Sequence, residues 1–503
     1  MKRIYILLSF LFFLLLTLIP TGRAQTIVLG DATGLRASWG YPNPYTCVPR
    51  GPGYCRASLL FDTLVWKDQK GTIPFLAEKW SYNEKENSWT FLIREGILWH
   101  DGKPLTARDV AFTFRYIIKY PVPFYGKVSC LIKDVQVKGR KVTVYLKGPN
   151  PDFIGHYVGT MLIIPEHIWK GVGDPYHFTA PRSFIGTGPF ILEEYHKGED
   201  LYIYRANHDY FMGKPKFEKV IFKKVPDQHQ ALINGEIDMA RINGKMIPRM
   251  QENGLKVISG PSYWNLKLLF NTRKGPFTHQ KARQAIAYAI DREAMVKIVK
   301  MGFAKKGNPN FLPDDNPWYC PSSNQYPYRP EMTRRLIRKA NLPTEITMIA
   351  SSRFRKDAEF VQKALKGVGL KVKVRFYDLN TADALIMKDN FDLAITGHGG
   401  LGGAPSMMVK FITQKVTYSA RFEDAQLKAL LKKVERLRDK EERRKVMCKF
   451  QEVYAEKLPA LTLYYPTWYY AFSDKAEFYL TPGGVAFGIP LPLNKLIFVE
   501  RKQ

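Results

Sequence analysis

EITMIASSRFRKDAEFVQKALKGVGLKVKVRFYDLNTADALIMKDNFDLAIT, residues 345–396, switches repeatedly between two kinds of apolar patterning, and its reading decides the fold class. Residues 345–350 read as a strand, and AEFVQKALKGVG at 358–369 as a helix closed by glycine. LKVKVRFYD at 370–378 reads as a second strand, TADALIMKD at 381–389 as a short helix and FDLAIT at 391–396 as a buried third strand. Strands alternating with helices of this length require crossover connections, so the stretch predicts a parallel sheet covered by helices. In such a sheet a ligand is expected just beyond the carboxyl end of a strand. Here that position is GHGGLGGAP, residues 397–405.

Upstream the pattern is different. A strand at 26–30 leads into WGYPNPYTCVPRGPGYC, residues 39–55, which is too rich in proline and glycine for regular structure and reads as a loop loaded with rings. Trp89, Phe91 and Ile93 alternate as a half-buried strand, and Thr106 with Asp109 forms a capping-box start to a helix. Hairpins are expected at 135–146, turning at Gly139, and at 190–205, where two strands flank a charged turn at Lys197–Asp200. Residues 278–302 read as one long amphipathic helix, and two further helices are expected from about Asp424 to Leu437 and onward to about Glu456. The chain therefore divides into an α+β portion before roughly Tyr263 and an α/β portion after it, with the 482–499 tail able to return to the first.

The 503 residues, 45% hydrophobic and 14% aromatic, suffice for two or three cores. Residues 1–24 have the form of a signal peptide: Lys2 and Arg3, an apolar run from Ile4 to Ile19, then Gly22-Arg23-Ala24 as the cleavage site. The same run, about 16 residues, is near the lower limit for a spanning helix, and retention as an anchor is the alternative. No later segment has a long uncharged apolar run. The 76 basic against 46 acidic residues are spread along helices and read as solvated faces; export argues against nucleic acid as a partner. Among five cysteines there is no Cys-x-x-Cys, and the closest pair, Cys47 and Cys55, either bridges a short loop or stays as buried thiols.

Catalytic signatures are missing. There is no Gly-x-Ser-x-Gly, no His-Glu-x-x-His, no Ser-x-x-Lys set and no Walker loop, and GTG at 186–188 is followed by Ile191 where a dinucleotide loop needs glycine. The nine histidines lack metal-ligand spacing, so neither a catalytic residue nor a metal or cofactor is expected. An exported, multi-domain, ring-rich chain of this kind suggests a binding protein with its ligand between domains.

LAEKWSYNEKENSWTFLIREGILWHDGKPLTARDVAFTF (76–114) resembles the signature region of the family 5 extracellular solute-binding proteins, the peptide, dipeptide and nickel receptors of ABC importers. GTGPFILEEYHKGEDLYIYRANHDYFMGKPKFEKVIFK (186–223), LFNTRKGPFTHQKARQAIAYAIDREAMV (269–296) and the 427–472 stretch resemble further segments of that family, and the resemblance covers essentially the whole mature chain. It implies an α/β, periplasmic binding protein-like fold of the class II, cluster C type, with two lobes and a ligand cleft between them. The implied first lobe comprises 25–55, 183–262 and 482–503, with an inserted subdomain at 56–182; the second lobe spans 263–481. It also implies a monomeric periplasmic receptor that delivers a solute to an ABC permease and its ATPase, without catalysis, and that meets the membrane only through the permease or an uncleaved anchor. An exported enzyme or a chaperone on the same scaffold is the remote alternative.

In peptide-binding relatives the glycine loop typically reads Gly-Trp-x-x-Asp-x-x-x-Pro, its Asp holding the peptide's α-ammonium. Here Gly397 and Pro405 match, while His398 stands at the Trp position and Leu401 at the Asp position. A buried ammonium without an anionic partner is costly, so the ligand class stays open among peptide, oligosaccharide and nickel chelate. Expected ligand-binding residues are His398, Gly399, Gly400 and Leu401 in this loop, Trp264 and Asn265 near the lobe crossover, and Trp39, Tyr41 and Tyr54 on the facing lobe, where Tyr45 is a further ring. Each of these rings has core packing as its alternative role.

Overall fold

The computed structural model describes residues 26–30, 40–47, 51–121, 128–405, 412, 419–485 and 488–501. The signal segment, and with it the anchor alternative, lies outside them, as do Trp39 and residues 48–50. Among the described residues no helix is long and apolar enough to cross a membrane.

Two large sheets organise the chain. The first has seven strands in the order Lys256–Ser259, Tyr469–Phe472, Met239–Ile242, Thr26–Gly30, Lys219–Lys223, Leu201–Ala206 and Phe190–His196. The expected hairpin supplies its far edge, paired from Phe190 with Ala206 to His196 with Leu201. The second has six strands: Ala304–Lys306, Ala460–Pro466, Asn265–Phe270, Leu393–His398, Glu345–Ser351 and Lys371–Tyr377. Its last three are parallel, as the β-α-β-α-β pattern requires. The other half is antiparallel, because Asn265–Phe270 pairs with both Leu393–His398 and Ala460–Pro466 in reverse sense, so the sheet is mixed. A separate four-stranded antiparallel sheet, Ala77–Asn83, Ser88–Ile93, Lys141–Leu146 and Ile132–Lys138, carries the half-buried Trp89 strand.

Local chemistry sets the element ends. Thr106 accepts from Arg108 N at 3.2 Å while Asp109 Oδ2 accepts from Thr106 N at 2.8 Å, and this capping box starts the helix Ala107–Lys119. The single helix expected over 278–302 is two, Gln280–Ala289 and Arg292–Lys300. Ile290 is extended and the Asp291 carboxylate accepts from Glu293 N and Ala294 N, so a side-chain cap inside the apolar pattern restarts the helix. The proline- and glycine-rich 39–55 stretch also differs from the expectation at its end, where a helix, Gly51–Leu60, has already begun.

The GTG turn at 186–188 is explained by close packing. A Cβ on Gly186 would lie 1.9 Å from Leu60 O, and one on Gly188 2.3 Å from Leu59 O. His100 of the WHDG segment closes the same junction. Its Nδ1 accepts from Gly186 N–H at 3.2 Å, and its Nε2 lies 3.0 Å from Gly188 O, the geometry of a neutral imidazole that donates there. Burial brings this histidine down to about 4, so it stays neutral.

The tail returns to the first sheet's side of the molecule. Val499–Arg501 pairs with Gly213–Pro215, and the fully buried Lys495 ammonium forms an ion pair with Asp62, which also accepts from Thr187 Oγ1 at 2.7 Å and Tyr210 OH at 3.1 Å. One apolar core runs continuously through the first sheet, the four-stranded sheet and this tail, whereas the second sheet has its own core beneath the helices Gln280–Ala289 and Arg355–Lys366.

The cysteine pairing is a correction. Cys320 and Cys448 form the disulfide, with Cα atoms 5.2 Å apart, and Cys47 and Cys55 are free. Both of those thiols are buried in the first core, Cys55 on a helix and Cys47 in the preceding turn, and burial pushes each up to about 12. Nearness in sequence did not bring them together; the bridge joins residues 128 apart.

Candidate functional site

The strand Leu393–His398 runs two residues beyond the expected end at Thr396, because Gly397 and His398 still pair with Leu266 and Asn265, and the rest of the glycine loop follows. Its glycines are needed for close approach. A Cβ on Gly397 would lie 2.0 Å from the Trp264 ring, and one on Gly402 2.3 Å from the Tyr263 ring. Gly488 of the tail, at φ 67°, presses on the same loop, where a Cβ would fall 2.1 Å from Gly403 N. Hydrogen bonds fix the contact: Leu401 N to Tyr263 O at 3.2 Å, Gly402 N to Gly488 O at 3.2 Å, and Asn316 Nδ2 to Leu401 O at 2.6 Å.

The structure brings several expected residues together. Asn265 and His398 are directly opposed across their two strands, and Trp264 covers Gly397 and Gly399 while tilting against Phe354 at 6.3 Å. Gly400 is buried at φ 87°. Leu401 is fully buried in an apolar cluster with Tyr263, Phe311 and Met447. The rings of the other lobe are apart from this group. Tyr54 is fully buried and stacked on Trp66, and Tyr45 packs against Trp169. Tyr41 is half-buried between Phe184 and Tyr195. Trp39 lies outside the described residues.

Strand alternation puts Asn265 and Lys267 on one face of the second sheet, and Lys267 is opposed by Thr396 on one side and Thr462 on the other. All are buried, forming a polar strip on the face opposite the main core of that sheet. The Asn265 amide has no hydrogen-bond partner among the described residues. Burial takes Lys267 down to about 7, with no carboxylate offsetting it, and burial together with the Lys267 charge holds the His398 imidazole well below its usual range. His398 is therefore a neutral interior side chain.

Two arginines that sequence reasoning missed, one from each large sheet, lie close enough for their charges to interact. Arg241, on the first sheet's strand Met239–Ile242, lies 4.6 Å over the Trp468 ring. Arg353, just past the second sheet's strand Glu345–Ser351, lies 4.8 Å over Phe354. Burial lowers Arg241, and the Arg353 charge adds to the shift. The strand-end rule was the available signal for Arg353; nothing local marks Arg241.

A cavity of about 250 Å3 opens beside the glycine loop. It is lined from three directions: Lys67, Thr72, Asp152 and His156; Gly402, Gly403 and Ala404; and Pro482 with Gly483 of the tail. One wall is an ion pair between distant segments. Arg443, on the helix Lys440–Lys457, donates Nη1 to Asp152 Oδ1 at 2.7 Å and Nη2 to the other carboxylate oxygen, and both side chains are about 6% exposed. Nearby, Arg438 lies 3.8 Å over the Tyr82 ring and 3.6 Å from Glu84.

The family model for bacterial extracellular solute-binding proteins, family 5 Middle, matches residues 71–419. The chain is similar to the oligopeptide-binding protein AppA of Bacillus subtilis, 24% identical over 464 residues covering 84% of this chain and 83% of the relative. It is 27% identical over 460 residues to a probable di/tripeptide-binding protein of Pseudomonas aeruginosa, covering 82% and 85% respectively. Its fold is that of NikA from Brucella suis, solved in complex with Fe(III)-EDTA: TM-score 0.79 at 22% identity, covering 93% of this chain and 100% of the other. The chain belongs to the family 5 bacterial extracellular solute-binding proteins.

Proposed function

We propose that the protein is the solute receptor of an ABC importer, capturing a peptide or similarly sized solute between its lobes and handing it to the permease without catalysing a reaction. The observation that carries this reading is the cavity whose walls come from the 67–72 and 151–156 segments, the 402–404 loop and the 482–483 tail, because a space bounded by chain-distant segments is one that lobe closure creates. The names of the two peptide-binding relatives support the solute class. We keep the lobe division 25–55, 183–262 and 482–503, with 56–182 inserted and 263–481 as the second lobe, and move the strand Tyr469–Phe472 to the first because it pairs with Met239–Ile242 and Lys256–Ser259. On this division the Asp152–Arg443 pair spans the closing boundary. Ligand contacts come from Trp264, Gly399 and Gly400, with Arg353 and Arg241 nearby; His398, Asn265 and Leu401 shape the loop from beneath. The receptor is monomeric and periplasmic, its leader removed near Ala24.

Native mass spectrometry of mature protein from its own host, followed by denaturation and identification of what is released, tests the proposal. A ladder of peptide masses supports it. A single sugar or metal-chelate mass replaces the solute class, and turnover in a hydrolase panel refutes capture without catalysis.

A further inference from the structure

The cavity beside the glycine loop has a charge imbalance that its walls do not resolve. Among the described residues its one lining carboxylate is Asp152, and both Asp152 oxygens are engaged by Arg443. That buried pair is neutral as a unit. Lys67, on the strand Val65–Asp68, also lines the cavity and forms no ion pair among the described residues. Two backbone donors of the facing loop are already committed, Gly402 N to Gly488 O and Gly403 N to Gly400 O. The described residues lining the space thus leave it with one net positive charge, at Lys67.

Volume narrows what can enter. About 250 Å3 is smaller than the roughly 300–1,000 Å3 of a pocket that takes a whole drug-sized ligand, so it suits one end of a solute. A desolvated cation facing such a space is stabilised most by an anion that brings its own charge. Burial brings the Lys67 ammonium down to about 8, only partly offset by the Asp152 charge, as expected for a cation whose counter-ion is not in direct contact.

We propose that this cavity is an anion subsite, in which the Lys67 ammonium receives a carboxylate, or an anionic group of similar size, carried by the bound solute. The inference rests on the receptor reading and deepens it. At this end of the site the solute is recognised by an acid group, the reverse of the ammonium recognition that an Asp at position 401 would supply.

The test compares wild type, Lys67→Gln and Lys67→Arg, each as full-length mature protein stripped of bound solute. The first probe is succinate against neutral succinamide, read as the shift in thermal midpoint. Succinate is expected to raise the midpoint of wild type and Lys67→Arg, at concentrations at least tenfold below those needed for Lys67→Gln, while succinamide raises none. The second probe is a pool of tri- to pentapeptides as free acids against the same pool amidated at the carboxyl end, read by native mass spectrometry. Preference for the free acids in wild type, lost in Lys67→Gln, supports the subsite. Equal succinate responses in wild type and Lys67→Gln overturn it, even if peptides bind. If no peptide binds in either form yet succinate acts through Lys67, the peptide reading fails and the subsite stands.

Discussion

Replacing Lys267 by Met is expected to stabilise the protein, and to do so less as the pH rises. Lys267 is 3% exposed, and burial lowers its pKa from 10.5 to about 7 with no compensating carboxylate. Between those two values the unfolded chain binds a proton that the folded chain does not, so folding becomes more favourable as pH rises through this window. Below about pH 7 the lysine is charged in both states, and the whole penalty is present. At about 1.36 kcal/mol per unit, a displacement of roughly 3.5 units is a penalty of about 5 kcal/mol at pH 6, falling to roughly 2 kcal/mol at pH 9. Met preserves most of the side-chain volume and removes the charge, which confines the difference to this term. His398 does not confuse the window, because its own pKa lies well below the usual histidine range. The assay is denaturant unfolding of wild type and Lys267→Met at pH 6, 7, 8 and 9. An uncompensated buried ammonium at Lys267 requires the variant to be the more stable by several kcal/mol at pH 6, with the gap closing steadily toward pH 9. A gap that is absent, or that does not change with pH, would refute it.

Arg443→Ala leaves the Asp152 carboxylate buried without its bidentate partner and is expected to cost about 3–5 kcal/mol, measured by thermal unfolding; a loss below about 1 kcal/mol would mean that solvent reaches the pair. Gly397→Ala places a methyl group against the Trp264 ring, so that ring must move, and a destabilisation of about 1–3 kcal/mol with altered tryptophan fluorescence is expected. Unchanged fluorescence would show that the ring does not cover the loop. Replacing Cys320 and Cys448 by Ser opens a loop spanning 128 residues and is expected to cost about 2–5 kcal/mol, whereas Cys47→Ser leaves the non-reducing gel mobility unchanged.

The elements legible from the residues alone are those whose causes are local. Thr106 and Asp109 make their capping box within four residues, the 190–205 hairpin turns where glycine and charge interrupt two strand patterns, and 345–396 alternates strand and helix, so each was legible without the rest of the chain. The same holds for the position of the glycine loop, which follows from a strand end. The remaining features depend on partners far away in the chain. The Ala460–Pro466 and Asn265–Phe270 strands turn a parallel motif into a mixed sheet through pairings that no local pattern encodes. Asn265 was expected at the ligand and Lys267 carried no expectation, until cross-strand register opposed them to His398 and Thr396 inside the molecule. Cys320 meets Cys448, Arg443 meets Asp152 and Lys67 lines one cavity with Gly402 only because chain-distant segments fold against one another. Hydrogen-bond caps and apolar periodicity act over a few residues and are written in the local sequence; burial and ion pairing act over a few ångströms of space, and the fold alone sets which residues share it.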